Sequence, residues 1–401
     1  MPTATSTKQT LRDVALAGKR VLIRVDFNVP QDASGRITDD TRIRESLPTI
    51  QYAIQQGAKV ILMSHLGRPK GGPDPTVRLD PIAKRLGELL HRPVQKADDC
   101  VGPAVTTHVQ RLNAGDVLVL ENVRFHVEEE RNDPAFAKAL ASLGDLYVND
   151  AFGSAHRAHA STAGVAHYLP AVAGLLLEKE IRFFEQLLNH PAKPFIAILG
   201  GAKVSDKIGV ITNLIERVDG MLIGGAMAYT FLKAQGVAVG TSKAEEDKVI
   251  VAKALLAKAA AKPCALQLPA DHVITTDLNH PRARQITSDA AIPDGWLGVD
   301  IGPKTRAAFL RALATAKLVV WNGPVGVCEV PPFSEGTRAL AQCLSDRAEQ
   351  ITTVIGGGDT GAALAHLGLA ARMAHVSTGG GASLEYLEGK VLPGIAALQD
   401  R

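Results

Sequence analysis

Aromatic residues make up only 4% of this 401-residue chain, and there are just four cysteines. Any core must therefore be built from aliphatic side chains. Cys100, Cys264, Cys328 and Cys343 show no C-x-x-C spacing and no histidine at a zinc-like offset, which argues against a disulfide framework and reads as reduced, mostly buried thiols. No apolar run approaches the roughly 20 residues needed to cross a bilayer. The N-terminal stretch MPTATSTKQT has no apolar signal core. These absences predict a cytoplasmic protein without a membrane anchor. One-sided charge is missing too. A net charge of +3 gives no support for a nucleic-acid partner. With 46% apolar and 21% charged residues, collagen-like, disordered and coiled-coil classes are excluded. There is no internal repeat, no Walker A sequence, and no HRD or DFG signature.

The length allows two domains, each able to bury its own core. Short apolar runs alternate with helical patterns. Arg20–Val25, Lys59–Met63, Val117–Leu120 and Leu146–Val148 read as buried strands, as do Phe195–Leu199, Gly220–Ile223, Lys317–Trp321 and Gln350–Ile355. Amphipathic helices are predicted between them, for example over Pro81–Leu90 and Ser205–Val218. This alternation predicts α/β architecture: two doubly wound domains, each with a central parallel sheet. Leu175–Asn189 combines helical spacing with strong helix formers, follows Pro170, and is followed by Pro191 and Pro194. It reads as a helix joining the two domains, with a boundary near 170–194, although an ordinary helix inside one large domain has the same pattern.

Ligands of open parallel sheets bind beyond the carboxyl ends of the strands. In the first half these exits are Asp26-Phe27-Asn28, Ser64-His65-Leu66-Gly67-Arg68, Asn122-Val123-Arg124 and Ala155-His156-Arg157-Ala158-His159, with Thr41-Arg42 on a nearby loop. Arg42, His65, Arg68, Arg124 and Arg157 could converge on one multiply charged anion, because the guanidinium fork gives phosphate or carboxylate two parallel hydrogen bonds. Each is individually compatible with a solvated charge or a structural ion pair. His156 and His159 have a spacing that also suits a metal, but no third ligand is recognisable.

In the second half glycine dominates the exits: Gly200-Gly201-Ala202-Lys203, Gly224-Gly225, Asn322-Gly323-Pro324, Gly356-Gly357-Gly358-Asp359-Thr360-Gly361 and Thr378-Gly379-Gly380-Gly381. Glycine allows backbone N–H groups close to phosphate oxygens, and a following helix N-terminus adds a favourable dipole. A helix starting near Ser205 would direct Lys203 and Lys207 the same way. Asp359 could hold Mg²⁺ or serve as a plain helix cap. Gly356–Gly361 also fits G-x-G-x-x-G, but few residues remain after it for a dinucleotide fold.

In this order and spacing the motifs resemble the phosphoglycerate kinase family over nearly the whole chain. The resemblance rests on Arg24-Val25-Asp26-Phe27-Asn28-Val29-Pro30, Ser64-His65-Leu66-Gly67-Arg68-Pro69, Glu121-Asn122-Val123-Arg124-Phe125, Ala155-His156-Arg157-Ala158-His159, Gly200-Gly201-Ala202-Lys203-Val204, Trp321-Asn322-Gly323-Pro324 and Gly356-Gly357-Gly358-Asp359-Thr360. It implies reversible phosphoryl transfer from 1,3-bisphosphoglycerate to ADP, giving 3-phosphoglycerate and ATP, by a cytoplasmic monomer that closes about a hinge. Residues 1–172 would form the phosphoglycerate domain, 173–194 the linker and 195–391 the Mg-nucleotide domain, with 392–401 packing back on the first domain. Asp26, Phe27, Asn28, Arg42, His65, Leu66, Gly67, Arg68, Arg124 and Arg157 would bind the glycerate. Lys207, Gly323, Glu329, Gly357, Gly358, Asp359 and Thr360 would bind ATP or ADP, with Asp359 on Mg²⁺. Arg42, Lys203, Gly358 and Gly380 would serve the transfer itself. One departure lies at Cys328, where the family usually has an aromatic residue before the ribose-binding glutamate. The first ten residues look like an extension without obvious function. Two competing readings are a nicotinamide-dependent dehydrogenase using Gly356–Gly361 and a two-lobed anion-binding protein.

Overall fold

The computed structural model describes residues 8–280 and 283–401. The chain divides into two compact units: residues 1–182 with 391–401, and residues 183–390. The division falls inside the helix Leu175–Asn189, between Arg182 and Phe183.

The first unit carries β1 (Arg20–Arg24), β2 (Lys59–Met63), β3 (Gln95–Lys96), β4 (Val117–Val119), β5 (Leu146–Asn149) and β6 (Ala171–Ala173). They form one parallel sheet in the order β3-β4-β2-β1-β5-β6. Successive strands lie on one side of β1 until β4, then cross to the other side. The carboxyl end of β1 is therefore a switch point, where a crevice opens. Helices on the sheet faces bury the aliphatic side chains of the strands, with Val21, Ile23, Val60, Leu62, Val117 and Val148 in one cluster. The C-terminal tail docks on this unit through paired backbone: Gln9 N donates to Gln399 O, Gln399 N to Ala171 O and Gly394 N to Ala155 O, each at 2.9 Å. Residues 8–10, read from sequence as a bare extension, are thus part of the fold; the preceding residues fall outside the described ones.

The second unit carries β7 (Phe195–Leu199), β8 (Gly220–Ile223), β9 (Ala265–Gln267), β10 (His272–Thr275), β11 (Arg284–Ile286), β12 (Leu297–Ile301), β13 (Leu318–Asn322), β14 (Thr352–Gly356) and β15 (His375–Val376). Six of them form a parallel sheet in the order β15-β14-β13-β7-β8-β9, with its switch point between β7 and β13. The two doubly wound sheets agree with the predicted fold class. An antiparallel sheet, β11-β10-β12, was not anticipated. Its outer strand, Arg-Gln-Ile, is exposed throughout and has too few residues to show a period.

A second difference concerns the segment after β7. The helix begins at Ile208 rather than near Ser205, and ends at Leu214. Glu245 intercepts the chain first: its carboxylate accepts from Ser205 N at 3.0 Å and from Ser205 Oγ at 2.6 Å. Lys203 and Lys207 are therefore not one helical turn apart. Lys203 is exposed, whereas Lys207 is buried.

Candidate active site

At the carboxyl ends of β1, β2 and β4 the first unit gathers an unusual density of cations. Arg24 lies within β1 and is 1% exposed. Its Nε donates to Ser161 Oγ at 2.8 Å, and its Nη2 meets His65 Nδ1 at 3.1 Å. A guanidinium only donates, so His65 Nδ1 must accept, and the imidazole proton resides on Nε2. Burial, together with Arg24, Arg124 and Arg42, holds the His65 pKa well below its usual value, despite Asp26 nearby. His65 is thus a neutral donor. Asp26 pairs with Arg42 Nη1. Burial would raise the Asp26 pKa, but the guanidinium charges of Arg42 and Arg24 bring it below the ordinary value.

The loop after β2 is held from both sides. Asn28 Oδ1 accepts from Gly67 N at 2.8 Å, and Arg124 Nη1 donates to Gly67 O at 2.9 Å. Asn122 fastens the same loop, with Nδ2 donating to Leu66 O at 2.8 Å and to Val77 O at 2.9 Å. Gly67 has φ +62°, and a Cβ there would lie 2.7 Å from Val77 Cγ1, so glycine is required for the turn itself. Arg124 is buried; its Nε makes no hydrogen bond but lies 3.2 Å from Glu130 Oε1 in an ion pair. Burial, Arg24 and Arg157 lower its pKa, with Glu130 opposing. Arg157, half-buried, donates from Nε to His156 Nε2 at 3.1 Å. Arg24, Arg124 and Arg157 all bear on the buried His159 as well, after the larger effect of burial. Asp26, Glu129 and Glu130 offset part of this charge, and an anionic ligand would offset more.

In the second unit the glycines divide into two kinds. Gly200 N donates to Asn322 O at 3.0 Å, Gly201 N to Pro324 O at 2.9 Å and Gly225 N to Val325 O at 3.1 Å. Gly323 N donates to Thr360 Oγ1 at 2.7 Å. These N–H groups are already engaged. A Cβ on Gly200 would come within 2.1 Å of Pro324 O, and one on Gly323 within 2.3 Å of Gly200 O. Glycine is needed here because backbones cross at the switch point. The helix Gly358–His366 is different. Its N-cap, Gly357, offers no side-chain cap, and a Cβ on Gly358 would meet nothing within 4 Å. Its first N–H groups have no partner within the helix and lie at its positive end.

Lys207 stands beside that helix start. Its Nζ donates to Asn322 Oδ1. Burial brings its pKa down to about 8, with Asp206 and Asp359 opposing. Asn322 is 2% exposed, and its Nδ2 has no partner, though it lies 3.0 Å from where a Gly357 Cβ would be. A buried donor without an acceptor beside a free helix N-terminus fits an anionic group. Two adjoining cavities, of about 340 and 210 Å³, share Pro324, Glu329 and Asp359 in their walls. Together they reach the size of a small-molecule site. Cys328 lines the larger and Tyr229 the smaller. The exposed Asp359 carboxylate, in the first turn of the helix, has the hard oxygen donors that Mg²⁺ takes.

A family model described as phosphoglycerate kinase matches residues 11–390. The chain belongs to the phosphoglycerate kinase family. It is 56% identical over 394 residues to the phosphoglycerate kinase of Moorella thermoacetica, covering 98% of this chain and all of that one. The solved phosphoglycerate kinase structure from Coxiella burnetii superposes with a TM-score of 0.88 at 42% identity, covering 97% of this chain and 98% of the other. That from Pyrococcus horikoshii gives 0.85 at 32% identity, covering 98% of each chain.

Against that family, the geometry sorts the predicted residues. Asp26, Asn28, Arg42, His65, Gly67, Arg124 and Arg157 come together in the first unit. Phe27 and Leu66 do not present side chains there; both belong to the hydrophobic core. Arg68 is exposed at the end of its loop. In the second unit Lys207, Gly357, Gly358, Asp359 and Thr360 surround one helix start, with Glu329 on the cavity wall. Gly323 serves the backbone crossing. Gly380, with φ +52°, precedes the short helix Gly381–Leu387. Sequence reasoning missed two residues as site members, Arg24 and Asn322. Both had a signal: a charge inside the apolar run Arg20–Val25, and an amide ending a strand that is otherwise apolar.

Proposed function

We propose that this chain catalyses phosphoryl transfer between 1,3-bisphosphoglycerate and ADP, with the first unit holding the glycerate and the second the Mg-nucleotide. The observation that carries the glycerate assignment is the convergence of Arg24, Arg42, Arg124 and neutral His65 at the strand exits of the first unit. A phosphorylated carboxylic acid is multiply charged and suits the guanidinium and imidazole donors that converge there. His65 Nε2–H and the Arg124 guanidinium are the donors for its oxygens, and Asp26 holds Arg42 in place for the end to be phosphorylated.

The nucleotide phosphates are assigned to the Gly357–Thr360 helix start, with Lys207 and Asn322 Nδ2 beside it and Glu329 on the ribose. Mg²⁺, held by Asp359, would neutralise charge on those phosphates. In the ATP-consuming direction the nucleophile is the carboxylate of 3-phosphoglycerate. Its pKa near 4 leaves it ionised at neutral pH, so the chain needs no general base. The requirement is alignment and charge stabilisation of a loose transition state. Lys203 and Arg42 are assigned to the oxygens of the phosphoryl group in transfer, with N–H groups at Gly358 and Gly380. The two substrates sit on different units, so the reaction requires bending in the 173–194 segment and exclusion of water, which would hydrolyse the acyl phosphate. No helix among the described residues is long and apolar enough to cross a membrane; a cytoplasmic monomer acting on small molecules fits the family.

The test is ATP consumption with 3-phosphoglycerate, trapping the acyl phosphate by coupled reduction, with and without Mg²⁺. Turnover should require both 3-phosphoglycerate and Mg²⁺. Lys203→Ala should lower kcat by at least about a hundredfold, the scale of one lost transition-state donor, with little change in glycerate affinity. Near-normal turnover in this variant would remove Lys203 from its role.

A further inference from the structure

Away from both clusters, the first unit brings together three side chains that metals favour. Asp99 and Cys100 precede the helix Pro103–Gln110, and His126 follows the turn Val123–Phe125. A carboxylate oxygen, Cys100 Sγ and a His126 ring nitrogen all lie within 4.8 Å of one another. The spacing along the chain hides this set, because the cysteine and histidine come from different crossovers of the sheet.

The set is built rather than loosely exposed. Cys100 is fully buried, while Asp99 is exposed and His126 half-buried, so the cluster runs from the surface to a buried thiol. The His126 ring is fixed by stacking on Phe136, with centroids 5.0 Å apart. Its Nε2 lies 2.7 Å from Asp99 Oδ1, which also accepts from Cys100 N at 2.6 Å. Asp99 O accepts from Glu121 N at 3.3 Å, tying this segment to the end of β4. The same cluster leaves the protons in the wrong place for a resting role. Burial and the neighbouring Asp99 and Glu129 charges raise the thiol pKa well above its usual value, so the sulfur keeps its proton in the absence of a cation. That is unsuited to a nucleophile or redox centre.

We propose that Asp99, Cys100 and His126 form a binding site for a borderline divalent ion of the Zn²⁺ class, distinct from the Mg-nucleotide site. One sulfur, one imidazole nitrogen and one carboxylate oxygen are the donor types of tetrahedral zinc, with water as the fourth ligand. Bonds of about 2.0–2.3 Å place tetrahedral ligand atoms roughly 3.4 Å apart. The Asp99–His126 contact must open by less than about 1 Å to admit the ion. Cys100 gives up its thiol proton to solvent on binding, and the thiolate becomes the ligand. The bound ion would pin His126, two residues after Arg124, to the Asp99 loop.

The test uses the full-length protein, stripped with chelator and titrated with Co²⁺ and Zn²⁺ in the absence of nucleotide. Co²⁺ should produce a thiolate charge-transfer band in the near ultraviolet, displaced by about one equivalent of Zn²⁺. Zn²⁺ should also raise the Tm. Cys100→Ser should abolish the band. His126→Gln, at a half-buried position that perturbs packing less, should weaken Zn²⁺ binding by at least about tenfold. A band unchanged in folded Cys100→Ser, Zn²⁺ affinity unchanged in His126→Gln, or no band in the unmodified protein, would overturn the proposal. If Cys100→Ser fails to fold, His126→Gln alone decides.

Discussion

Gly323 and Gly358 both belong to glycine-rich strand exits of the second unit, yet the structure predicts opposite consequences for replacing them with alanine. At Gly323 the backbone has φ +95°, which costs an L-residue about 1–2 kcal/mol. The new Cβ would also sit 2.3 Å from Gly200 O and 2.4 Å from Gly200 C. Both atoms belong to the chain leaving β7, whose register with β13 is fixed along its whole length. Relief by about 1 Å must therefore strain two central strands, a cost of about 1–3 kcal/mol. The sum, about 2–5 kcal/mol, corresponds to a fall in Tm of roughly 10 °C for a unit of this size. At Gly358 a Cβ meets nothing within 4 Å, and the residue is helical, so stability should change by less than about 1 kcal/mol. The methyl group would instead occupy the space assigned to phosphate. Loss of one charge-assisted hydrogen bond there should weaken Mg-ADP binding by about tenfold or more. Thermal unfolding and calorimetric titration with Mg-ADP, run on both variants, separate the two effects. A Gly323→Ala protein melting within about 2 °C of the parent would refute the backbone-crossing argument. Unchanged Mg-ADP affinity in Gly358→Ala would refute the phosphate assignment.

Lys207, with its pKa brought to about 8, should take up a proton when nucleotide phosphates bind near pH 8.5, since they favour the ammonium form. Calorimetry in two buffers of different ionisation enthalpy should detect this uptake, and Lys207→Gln should lose it. In the free protein the sign for stability is opposite to that of a paired lysine: between about pH 8 and 10.5 the unfolded chain binds more protons, so stability rises with pH across that window. Arg24→Met removes a buried cation from His65 and from the buried Glu129, and should cost about 3–5 kcal/mol. It should also raise the KM for 3-phosphoglycerate more than it lowers kcat, because His65 loses its fixed tautomer; steady-state kinetics at saturating ATP would show the reverse if Arg24 were merely structural. Asp150 caps the helix Leu175–Asn189, its Oδ1 accepting from Leu176 N at 2.9 Å and Leu177 N at 3.2 Å, and burial pushes its pKa to about 7. Between pH 4 and 7 the folded protein retains a proton that the unfolded chain has released, so Asp150 makes stability fall as pH rises through that window. Asp150→Asn keeps the accepting oxygen and should flatten the slope, seen as a smaller difference between urea midpoints at pH 5 and pH 8.

Strand positions were legible because each parallel strand is buried on both faces, and an all-apolar run bounded by glycine or asparagine leaves few alternatives. β2, β7 and β8 have the predicted limits, and the helix Leu175–Asn189 likewise. The antiparallel β10–β12 sheet was not legible, since β10 is a buried run of only four residues, β11 is three residues exposed throughout, and β12 carries a glycine and an aspartate in a five-residue run. The start of the helix after β7 was misjudged because its first turn is diverted by Glu245, a residue far along the chain.

The amino-acid sequence by itself determined the fold class, the family and most of the charged residues at the strand exits. Those follow from local patterns: apolar period, turn residues, and the chemistry required just beyond a parallel strand. Tertiary structure alone decided which of those residues act together. It buried the side chains of Phe27 and Leu66 in the core and brought Arg24 to His65. It separated glycines needed for crossing backbones from Gly358, where a side chain would meet nothing, and gathered Asp99, Cys100 and His126 from distant loops. The physical reason is range. Burial, charge pairing and close backbone approach depend on neighbours in space, and a doubly wound sheet places its strand exits side by side irrespective of their separation along the chain.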